Sequence, residues 1–173
     1  MPALKSTVEF GPSASIHLWR SPGARIKFDL RTPLRAALTL GAAPELIGWT
    51  FTPQFALDVA DPAGYTGWNL GLLAGPLFAN RRYHEYFYSV APQYATASRP
   101  VYQAQGGYAG TQFLTAVSKR FPKFWFGAYI RYDTLSGAAF APSPLVRSAG
   151  YWSAGFGIAW IIHQSSQLVE VPD

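Results

Sequence analysis

Apolar and polar residues alternate along much of the chain, most strictly from Arg25 to Leu40. In that segment the even positions are mainly apolar, beginning with Ile26 and Phe28, and the odd positions carry most of the charge. A period of two is typical of a β-strand with one apolar and one polar face. The same alternation recurs in residues 7–19 and 46–60. The pattern therefore predicts three successive strands, each with one apolar face.

Further alternating segments follow in the rest of the chain. They are Tyr65–Phe78, Tyr83–Val90, Tyr108–Arg120, Lys123–Asp133 and Tyr151–Ile162. Turn signals rich in glycine, proline and asparagine separate the segments. The order of these signals predicts an antiparallel meander of about eight strands.

The connections between the predicted strands differ in length. Most are short turns, but Ala91–Gln105 and Gly137–Gly150 are longer loops. Short turns that alternate with long loops are typical of outer-membrane barrels, in which the short turns face the periplasm and the long loops face outside. The predicted fold class is all-β, an antiparallel meander forming a transmembrane β-barrel over residues 1–162, with residues 163–173 as a C-terminal tail.

Aromatic residues near the predicted strand ends fit the same interpretation, because such residues form girdles at the two membrane interfaces. The expected girdle residues are Trp19, Trp49, Tyr65, Trp68, Tyr151, Trp152 and Trp160. Pro33, Pro53 and Pro76 fall inside predicted strands, where each removes a ladder hydrogen bond. We expect them at bulges or outside the hydrocarbon band.

A soluble β-sandwich or lipocalin-like barrel is the competing interpretation, because alternation does not tell which face is inside. Composition favours the membrane barrel. Only 13% of the residues are charged, against roughly 25% in a typical soluble domain. No segment contains the roughly 18 consecutive apolar residues of a membrane-spanning helix. The chain has no cysteine, so neither disulfides nor thiolate metal sites support the fold.

Charged residues on the predicted polar faces are the best functional candidates. If these faces enclose one lumen, the residues line an anion-favouring pore. Alternatively, they form ion-paired struts that fill a closed barrel of about eight strands, which is the interpretation we favour. The lumen candidates are Arg25, Lys27, Asp29, Arg31, Arg35, Asp58, Arg131 and Asp133.

Residue types used in catalysis occur close together only in the segment RRYHEYFYS, which contains His84, Glu85 and Ser89. On an extended strand His84 and Glu85 point to opposite faces, so a catalytic triad is not expected. His17 and His163 are isolated, which leaves no spacing for a metal site. We therefore predict no enzyme, no metal and no cofactor.

Nucleic acid is not an expected partner, although the net charge is +5. The 14 lysine and arginine residues are dispersed along the chain and form no basic run.

Several segments together resemble the MltA-interacting protein/OmpV family of Gram-negative outer-membrane proteins. They include LRTPLRAALTL, IGWTFTPQFALDV, SKRFPKFWFGAYIRYDTLSGAAFAPSPLV and WSAGFGIAWI. The resemblance extends from about Pro2 to Ile162. Its most specific blocks are Tyr83–Tyr108 and Leu135–Val146.

The resemblance implies an outer-membrane β-barrel in contact with outer-membrane lipid. It also implies a structural or scaffolding role that links cell-wall enzymes, a lytic transglycosylase and a peptidoglycan synthase, to the membrane. The alternatives are a porin-like channel for small polar solutes and, with less support, a lipid-acting hydrolase. Members of the family carry a signal peptide and further strands before the segment that resembles the start of this chain, so we expect a larger family barrel. The segment GFGIAWII resembles the assembly signal of outer-membrane proteins, with Gly155, Gly157, Trp160 and Ile162 as its residues.

Overall fold

The fold is described here from a computed structural model, in which residues 3–162 are described. The tail predicted at 163–173, including His163, lies outside the described residues. The strands are β1 (Thr7–Phe10), β2 (Ser13–Arg20), β3 (Ile26–Thr39), β4 (Leu46–Phe51), β5 (Gln54–Ala60), β6 (Trp68–Ala79), β7 (Gly107–Arg120), β8 (Phe124–Thr134) and β9 (Gly150–Trp160). An α-helix, α1 (Arg81–Tyr88), lies between β6 and β7.

All nine strands belong to one antiparallel sheet. β1 and β2 follow one another along one side of β3, and β4 and β5 follow one another along its other side. The remaining order is β6, β7, β8 and β9. The predicted all-β antiparallel meander is therefore confirmed. Within the described residues no ladder joins β9 to β1 or β2.

The register gives the sheet one polar and one apolar face, because directly opposed residues of paired strands share a face. On the apolar face Phe28 stacks on Phe55, with ring centroids 5.6 Å apart. Trp152, Phe156 and Trp160 on β9 are 67%, 79% and 71% exposed. This arrangement is the reverse of a soluble sandwich or lipocalin-like barrel, in which the apolar face would be buried.

The three prolines lie at one level across neighbouring strands. Pro33 stands opposite Ser13, where β2 begins, and its carbonyl accepts a hydrogen bond from Thr52 N–H. Pro53 separates β4 from β5, and a Cβ on neighbouring Gly75 would lie 2.2 Å from the Pro53 carbonyl oxygen. Pro76 follows Gly75 on β6. The chain is interrupted at this level between β1 and β2 and between β4 and β5, where Pro53 lies, whereas Pro33 and Pro76 lie within the continuous strands β3 and β6.

The connections separate into two ends of the sheet. The turns at 21–25, 61–67 and 121–123 lie together and form what we call the short-turn end. The connections at 40–45, 80–106 and 135–149 lie at the opposite, long-loop end. The difference in length between the two ends matches the alternation predicted from the sequence.

The strand predicted at Tyr83–Val90 is wrong, because this segment forms α1. The Asn80 side chain caps the helix by accepting hydrogen bonds from Tyr83 N–H (3.2 Å) and Trp49 N–H (3.0 Å). An Arg81–Glu85 ion pair of 2.7 Å spans one helical turn. Gly48, with φ +150°, lets the helix approach β4, since a Cβ there would lie 2.3 Å from Asn80 Oδ1.

The most buried apolar cluster lies in the long connections and at the start of β7. It consists of Ala104, Ala109, Ala138 and Phe140, with Tyr88 packed against it. We call α1 together with residues 89–106 and 135–149 the plug. It combines the two most specific blocks of the family resemblance. No helix within residues 3–162 is long and apolar enough to cross a membrane.

Candidate functional site

A polar cavity of about 420 Å³ lies between the plug and the polar face of the sheet. Glu9 on β1 and Tyr151 on β9 both line it, so the sheet curves around the cavity from its first strand to its last. The plug contributes Tyr83, His84 and Phe140 to the lining. The cavity thus lies on the polar side of the sheet, between β1, β9 and the plug.

Three charged side chains of the cavity, Glu9, Arg131 and Asp133, are held by neighbouring side chains. Glu9 accepts hydrogen bonds from Tyr83 Oη at 2.8 Å and from Thr50 Oγ1 at 3.3 Å. Arg131 pairs with Asp133 at 2.5 Å. The two hydroxyl groups bound to Glu9 carry no positive charge, and Arg131 pairs with Asp133 and not with Glu9. Within residues 3–162 the Glu9 carboxylate is therefore bound only by hydroxyl groups, and the Arg131–Asp133 ion pair lines the same cavity.

Arg35 is the second cation of the cavity. It stands opposite Thr50 in the β3–β4 ladder and lines the same space. Among residues 3–162 no carboxylate lies within ion-pair distance of its guanidinium. Its donors are therefore available to a solute or to water.

A second charged cluster lies nearer the short-turn end. Asp29, which is 5% exposed, accepts a hydrogen bond from His17 Nδ1 at 2.7 Å. Arg31 hydrogen-bonds Asp58 and lies 3.9 Å from Asp29. Arg20 donates to His17 Nε2 at 3.0 Å. These contacts join β2, β3 and β5 across the polar face.

The structure divides the predicted lumen residues into separate groups. Asp29, Arg31 and Asp58 form the cluster near the short-turn end, whereas Arg35, Arg131 and Asp133 line the cavity. Lys27 stands opposite Asp58 in the β3–β5 ladder, and Arg25 lies in the adjoining turn. The ion pairs among these residues fit ion-paired struts better than a single ring of basic residues. A lumen role for the residues stays a prediction.

The residues of the predicted assembly signal follow the alternation of β9. Gly155 and Gly157 lie on the polar face, where a Cβ on Gly155 would come 2.7 Å from the Tyr129 ring. Trp160 at the end of β9 and Ile162 two residues later are strongly exposed. Recognition of this strand by assembly machinery stays a prediction.

Six of the expected girdle residues divide between the two ends of the sheet, and Tyr151 is the exception. Its hydroxyl accepts a hydrogen bond from Arg131 at 3.2 Å, and its side chain lines the cavity. Its placement in a girdle was therefore wrong. The sequence could have shown this, since Tyr151 shares the odd positions of β9 with Ser153, Gly155 and Gly157.

The residues of the RRYHEYFYS segment do not form a triad. His84 is fully buried, with Nδ1 2.6 Å from the Gln105 carbonyl oxygen, and its Nε2 has no hydrogen-bond partner among the described residues. Glu85 pairs with Arg81, and Ser89 Oγ accepts a hydrogen bond from Ala104 N–H at 2.9 Å. The three side chains therefore have different partners. The reason differs from the one predicted, because the segment is mainly helical and not extended.

Burial changes the pKa values of the helix side chains. It lowers the pKa of His84, although the hydrogen bond to the Gln105 carbonyl opposes this effect. Burial raises the pKa of Tyr83, and the hydrogen bond to Glu9 raises it further. Tyr83 therefore remains protonated at neutral pH and can donate to Glu9.

We expect the plug to lose stability in mild acid because of His84. The pKa of His84 is lower in the folded than in the unfolded chain, so neutral His84 makes its full contribution to folding stability above the pKa of the unfolded chain, near 6.5. It is lost as the pH falls below that value, with a slope of at most about 1.4 kcal/mol per pH unit for one proton. Urea unfolding between pH 8 and pH 5 measures this dependence.

A His84→Phe variant is the control for this pH dependence. Its absolute stability changes because the Gln105 hydrogen bond is lost, but the slope between pH 8 and pH 5 should become smaller. An unchanged slope in His84→Phe would assign the acid sensitivity to other groups.

Sequence reasoning missed Glu9, Thr50 and Tyr83 as members of the site. Glu9 occupies the polar face of its predicted strand, which was a usable signal. Tyr83 gave no comparable signal, because its contact with Glu9 spans 74 residues and depends on α1.

Comparison with known proteins gives one family match. A family model described as "MltA-interacting protein MipA" matches residues 1–162. The matched range includes every described strand, α1 and the plug. No curated protein and no solved structure matches the chain.

Proposed function

The chain belongs to the MltA-interacting protein MipA family, and we propose on this basis that it is an outer-membrane protein with a scaffolding role towards cell-wall enzymes. The observation that carries the membrane part is the exposed apolar face of the sheet. Its side chains include Phe55, Phe113 and Phe156, each about half exposed or more. In water such a surface is costly, whereas in lipid it is the expected exterior of a spanning sheet.

Strand length supports the same proposal. β8 and β9 each contain 11 residues, and β3 and β7 each contain 14. A tilted transmembrane strand needs about 9–11 residues. These strands are therefore long enough to cross the hydrocarbon region.

The short-turn end has the features of a membrane interface. Lys119 Nζ lies 5.4 Å from the centre of the Trp68 ring and 5.5 Å from that of Phe121. Lysine beside interfacial aromatic residues keeps its charge in the headgroup region while its stem covers apolar surface. Trp160 lies near the same end, opposite Phe124 in the β8–β9 ladder.

The scaffolding part of the proposal concerns the short-turn end. In outer-membrane barrels this end faces the periplasm, where a lytic transglycosylase and a peptidoglycan synthase act. The family description names an interaction with MltA. Six basic residues and one acidic residue lie in the short turns or within two residues of them: Arg20, Arg25, Lys27, Lys119, Arg120, Lys123 and Asp61. This charge favours a partner with an acidic surface.

Site-specific photo-crosslinking tests the scaffolding role. A crosslinking residue in place of Pro122 should capture a lytic transglycosylase in intact cells, because Pro122 lies in a short turn. The same residue in place of Ser98, in the long 80–106 connection, should not. Mass spectrometry identifies the captured protein. Capture only from Ser98 would reverse the proposed orientation, and capture from neither position would contradict the scaffolding role.

A porin-like channel is the second candidate, favoured by the polar cavity inside the curved sheet. The plug occupies part of this interior, so we expect little conductance in planar bilayers from the native chain. Steady conductance that disappears in an Arg35→Glu variant would instead favour the channel. We propose no catalytic activity, because His84, Glu85 and Ser89 each have a different partner.

A further inference from the structure

The polar cavity contains one anion and one cation that no ion pair neutralises among the described residues. Glu9 is held by the hydroxyl groups of Tyr83 and Thr50 only. Arg35 has no carboxylate within ion-pair distance. The other charged side chains of the lining, Arg131 and Asp133, bind one another. The lining therefore presents one free charge of each sign to the same space.

The hydrogen-bonding capacity of both groups is incompletely used. A carboxylate offers about four acceptor positions and a guanidinium five donors. Glu9 uses two acceptor positions, one for each hydroxyl group. Tyr83 and Thr50 orient the carboxylate without neutralising it, so its negative charge remains available to a cation.

The strand register sets the distance between the backbone positions of Glu9 and Arg35. Glu9 on β1 stands opposite Ala37 on β3, and Arg35 lies two residues further along β3. Diagonal neighbours of this kind are about 7–8 Å apart. A Cβ on Gly11, the residue after β1, would lie 2.9 Å from Arg35 Cα, so no side chain is placed beside Arg35 there. Both side chains line the same cavity, so one small solute can contact both charges.

We propose that this cavity binds a small zwitterionic solute of the amino-acid or dipeptide class. The ammonium group of the solute pairs with Glu9, and its carboxylate pairs with Arg35. Thr50, Gln54 and Gln112, which also line the cavity, supply hydroxyl and amide groups for its remaining polar atoms. The volume of about 420 Å³ lies within the usual range of roughly 300–1,000 Å³ for small-molecule sites.

Charge balance selects a zwitterion over a simple ion. An anion that approaches Arg35 also meets the negative charge of Glu9, and a cation that approaches Glu9 meets the positive charge of Arg35. Only a solute with both charges gains from the two groups at once. The inference does not depend on the scaffolding role, which concerns the short-turn end.

Titration calorimetry tests the proposal with the full chain, isolated in folded form from membranes into detergent micelles. The probes are L-alanyl-L-alanine, its N-acetyl derivative, which lacks the ammonium group, and its C-terminal amide, which lacks the carboxylate. The unmodified dipeptide should bind saturably, and each derivative should bind at least about tenfold more weakly. Equal binding of the N-acetyl derivative, or no saturable binding of the dipeptide, would overturn the proposal.

Variants connect the binding to the two charges. Glu9→Gln and Arg35→Gln should each weaken dipeptide binding at least about tenfold. Arg25→Gln is the matched control, because Arg25 is basic and lies outside the cavity lining, and its binding should equal that of the native chain. Should Arg35→Gln fail to fold, Arg35→Lys keeps the charge and should retain binding within a few-fold of native. Native binding in Glu9→Gln, or equal loss in Arg25→Gln, would contradict the site.

Discussion

Replacing Phe113 with arginine should destabilise the membrane-inserted protein by about 2–4 kcal/mol, the usual cost of a basic residue at the bilayer midplane on a lipid-facing strand. Phe113 lies near the middle of β7, on the apolar face opposite Ala74 and Tyr132, and is 48% exposed. An arginine there has no ion-pair partner on this face. Urea unfolding in lipid vesicles, followed by gel mobility with and without boiling, measures the effect.

The neighbouring residue provides the matched control. Gln112 lies on the polar face, directly opposite Asp133. The same substitution there, Gln112→Arg, places a positive charge on the polar face opposite Asp133 and should cost clearly less than Phe113→Arg, because polar groups and water surround the guanidinium. Equal destabilisation by the two substitutions would contradict the assignment of the faces. A chain that becomes more soluble and more stable in water with Phe113→Arg would contradict the membrane location.

Replacing Phe140 with alanine should give the second large effect, a loss of about 3–5 kcal/mol, as is typical of buried phenylalanine. Phe140 is 2% exposed and stacks on Tyr88 with ring centroids 3.7 Å apart. It also packs against His84 in a T-shaped arrangement with ring centroids 4.7 Å apart. These contacts join the 135–149 connection to α1. Removing the ring leaves a cavity in the centre of the plug.

The expected loss should be concentrated in the plug. Amide hydrogen exchange should become faster in α1 and in residues 89–106, while the β7, β8 and β9 ladders keep their protection. Phe156→Ala on the exposed face is the control, since its ring is 79% exposed and leaves no internal cavity. If Phe140→Ala costs no more than Phe156→Ala, the plug does not depend on this aromatic cluster.

The sequence by itself determined the strands and the sorting of their side chains into two faces. In β8, Phe126 and Ile130 lie on the apolar face, and Arg131 and Asp133 lie on the polar face, as the alternation predicted. This information is local, because successive side chains of any strand point to opposite sides. The two ends of the sheet were also readable, since the lengths of the connections are a property of the sequence.

The helix α1 was decided by tertiary structure, although its start had a local signal in Asn80. The aromatic residues of RRYHEYFY fit a strand period as well as a helical one, and neither propensity nor alternation separates the two for so short a segment. The contact of Gly48 with the helix and the burial of His84 favour the helical form. Both depend on residues far away in the chain.

Alternation did not decide which face is enclosed, although the low charge content favoured the polar one, and only the tertiary structure decided which charges meet. Alternation is the same for an inward and an outward apolar face, and the curvature that brings Glu9 and Tyr151 to one cavity is a property of the whole sheet. Arg31 meets Asp58 across 27 residues and Glu9 meets Tyr83 across 74. Such pairs form because strand register and the plug bring the side chains together, and neither is encoded in the spacing of the residues along the chain.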